Sequence, residues 1–166
     1  MEKPKIKLAL TTGDLIIEIV GWLLILAVWA LTISAYSGLP DIIPIHYNSS
    51  GEADGFGAKA TILSLPVIST MLFIGMTILN KFPHKFNYLT EISQDNAYKQ
   101  YGYACRLIRT LKLIIVLIFG LIVYITIQHA KGAADGLGYW FLPFTQVMIF
   151  IPLIYYIFKT SKAKPR

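Results

Sequence analysis

The sequence predicts an all-α membrane protein, a bundle of four transmembrane helices with a structured extracytoplasmic loop between helices one and two. Three observations carry this reading. Of the 166 residues, 55% are hydrophobic and 14% charged, whereas a soluble domain has about 45–50% apolar and about 25% charged residues. The apolar residues collect in four runs, 15–36, 60–80, 111–130 and 139–158. The cations are confined to some of the segments between those runs and excluded from others. No linker divides the chain, so residues 1–166 read as a single integral membrane domain.

Each run holds about 20 residues, which at a rise of about 1.5 Å each covers a hydrocarbon core of about 30 Å. A segment in lipid must satisfy its own backbone hydrogen bonds, so each run is expected to be helical. The first run exceeds the apolar length of a cleaved signal and has Asp14 and Glu18 at its entry, so it reads as a span. Asp14 and Glu18 are four residues apart and share a helix face. Glu18 lies about one turn inside the run, and a carboxylate there calls for a partner. Arg109 and Lys112, entering the third run at the same depth, are the candidates. Pro66, Pro143 and Pro152 fall within runs two and four, where they are expected to kink the helices. Gln146, the strongly polar residue of the fourth run, is expected to hydrogen-bond to a neighbouring helix.

Charge sets the orientation. Lys3, Lys5 and Lys7 precede run one. Lys81, Lys85, Lys99, Arg106, Arg109 and Lys112 lie between runs two and three, and Lys159, Lys162, Lys164 and Arg166 close the chain. These are thirteen of the fifteen basic residues; the other two faces hold Lys59 and Lys131. Basic segments stay on the cytoplasmic side, so both termini are placed there, in a multi-pass protein of the cell membrane. The net charge of +6 is then a topology signal, not the footprint of a nucleic-acid partner. Tyr36, Tyr139 and Trp140 fall at the outer interface, and Tyr155 and Tyr156 near the inner one. The single cysteine, Cys105, falls on the inner side, which excludes a disulfide framework.

The loop at 37–59 contains the stretch LPDIIPIHYNSSGEADGFGAK. It is longer than a typical helix–helix connection of about 2–8 residues. Pro40 and Pro44 hold the backbone extended. Asn48 can bond its own downstream backbone, with Gly51 completing turn chemistry. Ile42, Ile43, Ile45, Tyr47 and Phe56 are expected to fold down onto the bundle. One reading of the ionisable residues is structural, with Asp54 paired to Lys59 and His46 fastening the loop. The other is a site, in which His46 and Asp54 bind a ligand, do acid–base work or, as weak candidates, hold a cation. No metal motif such as H-E-x-x-H occurs; no catalytic residue, metal or cofactor is predicted.

Two further features bear on function. Ala53-Asp54-Gly55-Phe56-Gly57 before run two is echoed by Ala134-Asp135-Gly136-Leu137-Gly138 before run four. Gly and Asp are common loop residues; a duplicated hairpin would instead place His129 and Asp135 beside His46 and Asp54 as a second half-site. In the connection at 81–110, Tyr98, Tyr101, Cys105 and Ile108 follow helical spacing beside Lys99, Arg106 and Arg109. This predicts an amphipathic extension of helix three, lying on lipid headgroups or docking a cytoplasmic protein.

Pro40, Pro44, His46, Asn48, Gly51, Asp54, Gly55 and Lys59 match, position by position, the pattern L-P-x-x-I-P-x-H-x-N, G-x-x-D-G, K. Through these residues the chain resembles a bacterial integral membrane domain, the domain of unknown function 1648, over roughly residues 10–80. Asn96, Tyr101 and Arg106 add to the likeness. The best-known members are immunity proteins for a secreted sporulation-delaying toxin, which also sequester a repressor on the cytoplasmic side. They carry further spans after the shared region, where this chain has four in all. The resemblance implies an extracytoplasmic peptide or small-ligand partner, a cytoplasmic protein partner at 81–110, and immunity-like function. The alternatives are a small membrane enzyme with an outer-face site and a homo-oligomeric transport subunit. The enzyme reading lacks a motif that ties a nucleophile to His46, and the transport reading lacks a charged mid-span pathway.

Overall fold

The computed structural model describes residues 3–162; Lys164 and Arg166 lie outside them. Four helices are long and apolar enough to cross a membrane. They are α1 (Thr12–Tyr36), α2 (Ser64–Leu79, entered through a 3-10 turn at Lys59–Leu63), α3 (Gln94–Ala130) and α4 (Phe141–Lys162). Between α1 and α2 the chain forms two antiparallel strands, β1 (Ile42–Tyr47) and β2 (Ala53–Ala58). The all-α expectation is corrected here: the helical bundle carries a two-stranded sheet. Residues held extended before Pro40 and Pro44, and the three isoleucines of β1, favour pleated backbone over an irregular cap.

A capping box starts α1. Asp14 N–H donates to Thr11 Oγ1 at 3.2 Å, and Thr11 N–H donates to Asp14 Oδ2 at 3.0 Å, satisfying two otherwise orphan donors. Gly21, Ile25, Val28 and Thr32 make the buried stripe of α1, at three- and four-residue spacing. A β-carbon at Gly21 would overlap the Phe73 ring, and one at Gly120 would overlap Val28. These two absent side chains let α1 approach α2 and α3 closely. The main core joins Ile25 and Val28 to Phe73, Val116, Val123 and Ile127, and it continues under the hairpin through Leu39, Ile43 and Ile62.

Helix α3 is the central post, packed by α1, α2 and α4 in turn. Its first half extends well beyond run three. Tyr101 and Cys105 are fully buried there, and the Tyr101 hydroxyl donates to the Pro4 carbonyl at 2.9 Å. Gln100 Nε2 donates to the Thr160 carbonyl of α4. Of the face expected to lie on lipid headgroups, Tyr101 is covered by the chain's own N-terminal segment and Cys105 by Asn80 at the end of α2, while Tyr98 stays exposed. Sequence periodicity identifies an apolar face but not what covers it.

Two other expectations change. Pro66 and Pro143 fall in the first turns of α2 and α4, where a missing N–H would be unpaired in any case. Only Pro152 is interior to a helix. Gln146 is exposed on α4 and, among the described residues, makes no hydrogen bond to another helix. Helix α4 packs mainly on α3 and presents most of its remaining surface outward, so Gln146 has no facing helix to bond.

Candidate functional site

The hairpin is built from its turn outward. Asn48 Oδ1 accepts the N–H groups of Ser50 at 2.9 Å and Glu52 at 3.0 Å, and Asn48 Nδ2 donates to Glu52 Oε2 at 3.0 Å. The turn is closed by Gly51, whose φ of +78° is in the left-handed region that glycine occupies without strain. The Gly51 carbonyl accepts Leu137 N–H at 2.7 Å, and Glu52 bridges Gly136. The tip of the hairpin is thereby sewn to the α3–α4 connection. At the base, Lys59 Nζ lies 3.0 Å from Asp41 Oδ1, and Lys59 N–H donates to the Asp41 carbonyl at 2.9 Å.

The expected Asp54–Lys59 pair does not form. Asp54 instead meets His46 Nδ1 across the two strands, at 2.5 Å, and Lys59 takes Asp41. The register explains it. His46 stands opposite Gly55, with Ile45 bulged out of the pairing between Pro44 and His46. The imidazole thus lies beside Asp54, and Gly55 leaves room for the His46 β-carbon. Lys59 sits past the end of β2, beside the residue that begins the loop. Both members of the pair are open to solvent, with His46 and Asp54 side chains 70% and 46% exposed.

The bulge also decides which apolar side chains face inward. Ile43 is buried and Tyr47 half-buried, but Ile42, Ile45 and Phe56 are 66%, 48% and 56% exposed. Only part of the expected apolar set folds onto the bundle, since a strand sends successive side chains to opposite faces. The Tyr47 hydroxyl is 3.0 Å from Thr126 Oγ1 of α3, and burial pushes its phenol above the ordinary value. Between hairpin, α2 and α3 lies a cavity of about 280 Å³, bordered by Pro44, His46 and Tyr47 on one side and Ser64 and Thr126 on the other.

The echoed pentads do not build a second half-site. Residues 53–57 are strand and residues 134–138 are irregular. His129 packs edge-on to Tyr47 and Phe56 at ring distances of 6.3 and 6.5 Å, beneath the hairpin, while Asp135 is exposed. Among the described residues, no three His, Cys, Asp or Glu side chains gather as a metal would need. The second pentad meets the residues just before the first, Gly136 bridging Glu52 and Leu137 donating to the Gly51 carbonyl.

A second polar cluster lies at the opposite end of the bundle. Glu18 Oε1 accepts from Arg109 Nε at 3.2 Å, and Glu18 Oε2 from Lys112 Nζ at 2.6 Å. Asp14 Oδ1 lies 3.3 Å from Arg106 Nε and 3.5 Å from Arg109 Nη1. The Lys112 side chain is wholly buried. It also donates to Thr77 Oγ1 at 2.6 Å and stands over the Phe73 ring at 4.2 Å. The cluster clamps α1, α2 and α3 together. Asp41 is one of the loop's ionisable residues, but its pairing with Lys59 is not legible in the sequence, and Thr77 and Thr126 carry no signal there. The two threonines look like ordinary span residues.

The comparisons with known proteins fall on the hairpin. Residues 23–70 match the family model described as Domain of unknown function (DUF1648); they run from α1 through both strands into α2. A protein of Archaeoglobus fulgidus described as uncharacterized is 30% identical over 67 residues, 36% of this chain and 37% of that protein. The chain thus spans little more than a third of the length of the curated relative that it matches. No solved structure matches it. The stretch that builds the hairpin and its two flanking helices is therefore, by its own residues and by the family model, similar to the domain of unknown function 1648.

Proposed function

We propose that this is a multi-pass protein of the cell membrane, with both termini cytoplasmic, whose hairpin contacts an extracytoplasmic peptide or small ligand in an immunity-like role. The observation that carries the reading is the division of labour in the hairpin. Asn48, Gly51 and Lys59 are spent on holding the fold. His46 and Asp54 stand exposed as a pair, Ile45 and Phe56 are uncovered on the same hairpin, and His46 and Ile45 border a cavity. A rigid loop with spare polar and apolar groups is suited to recognition. The buried ion cluster and the cation-rich inner segments support the orientation.

Orientation is tested with cysteines in a Cys105→Ser background, because buried Cys105 would stay silent on either side. In intact cells Ser49→Cys is expected to react with an impermeant thiol reagent, and Lys85→Cys only after lysis. The reverse pattern would turn the protein over.

Function is tested by survival of cells, with and without the gene, against a panel of secreted antimicrobial peptides. His46→Ala and Asp54→Asn are expected to melt close to the parent, since an exposed ion pair contributes about 0–1 kcal/mol, yet to abolish protection. Unchanged survival across the panel removes the immunity reading. A large drop in melting temperature for both variants would make the pair a structural fastener.

A further inference from the structure

At the end of the bundle opposite the hairpin, α3 and α4 line a groove of about 260 Å³. Arg106 and Lys159 supply its cations, Tyr103 and Tyr156 its phenols, and Leu107 and Ile151 its apolar surface. Lys159 Nζ rests over the Tyr155 ring at 5.5 Å and, among the described residues, forms no ion pair. Arg106 has a half-exposed side chain and shares its one carboxylate, Asp14, with Arg109. The inner ion cluster has three cations for two acids. Lys159 adds a fourth cation, so among the described residues positive charge at the groove exceeds the carboxylates paired with it.

We propose that this groove holds one anionic phospholipid, with its headgroup phosphate between Arg106 and Lys159 and an acyl chain along Leu107 and Ile151. The inference rests on the membrane reading above. Charge complementarity selects the occupant: a zwitterionic headgroup would bring its own cation against two others, and a free anion would leave the apolar surface uncovered. Basic pockets between helices at the cytoplasmic leaflet suit such headgroups. Arginine offers a fork to phosphate oxygens, and lysine a point charge.

The test uses the full chain in nanodiscs of mixed phosphatidylcholine and phosphatidylglycerol, followed by native mass spectrometry of the lipid that stays bound. Selective retention of phosphatidylglycerol is expected. Lys159→Gln, which touches no other charged group, should weaken retention about fivefold, the share of one cation near an anionic surface. Arg106→Gln should weaken it at least as much, and Lys131→Gln, at the other end, should leave it unchanged. Equal retention of both lipids, or parent-like retention by Lys159→Gln, overturns the site. So does displacement of the lipid by inorganic phosphate at matched concentration, which would make the ligand a free anion. Failure to enter nanodiscs overturns the membrane reading and the site with it; entry without lipid preference overturns the site alone.

Discussion

Glu18→Gln is expected to lower stability by about 3–5 kcal/mol, the cost of breaking a buried ion pair from one side. The reason is Lys112. Its ammonium has no solvent exposure, and it relies on Glu18 at 2.6 Å, with Thr77 and the Phe73 ring supplying only neutral contacts. With a neutral amide at position 18, Lys112 remains buried without a countercharge, beside an Arg109 that keeps only Asp14 at 3.5 Å. The measurement is thermal unfolding of the purified protein in detergent, with Lys112→Met and the double variant Glu18→Gln/Lys112→Met alongside. The double variant should recover much of the loss, because removing both charges removes the desolvation cost as well. Additive losses, or a Glu18→Gln protein that melts like the parent, would show that the pair is not coupled.

Gly51→Ala is the second large effect, and it should act at the other end. At a φ of +78° an L-residue costs about 1–2 kcal/mol of backbone strain. A β-carbon there would also run into the backbone of Gly138, which cannot swing aside as a side chain can. The tip must then part from the α3–α4 connection, losing the Leu137 N–H bond to the Gly51 carbonyl. Amide exchange should accelerate across residues 42–58 and 134–138 together, with the centre of α3 unchanged. Faster exchange in the hairpin alone would show that the two segments are not coupled through Gly51.

The two variants separate what can be read from sequence from what cannot. Four apolar runs, each near 20 residues, predicted the four helices to within a few residues at most ends, because span length and backbone satisfaction are one-dimensional constraints. The start of α3 was the exception. Its polar first half was legible as amphipathic, but the N-terminal segment that covers Tyr101 comes from nearly a hundred residues away. The Glu18 partners follow from equal depth in two runs that enter from the same side, again a one-dimensional coordinate. Asn48 and Gly51 could be recognised because turn chemistry is local.

The partner of Asp54 was decided only in three dimensions. Asp54–Lys59 and Asp54–His46 are both compatible with the residues at 39–59, and the register shifts at Ile45 and at Asp54 select the second. The first shift turns Ile45 outward and keeps Ile43 in the core. A strand's period of two makes every side chain's face depend on the register, and a bulge is a property of the paired strands rather than of either strand alone. The residues of the loop therefore determined that an ordered element would stand between the first two helices. Packing against Thr126 and Leu137, distant in sequence, decided which of its groups hold the fold and which are left exposed.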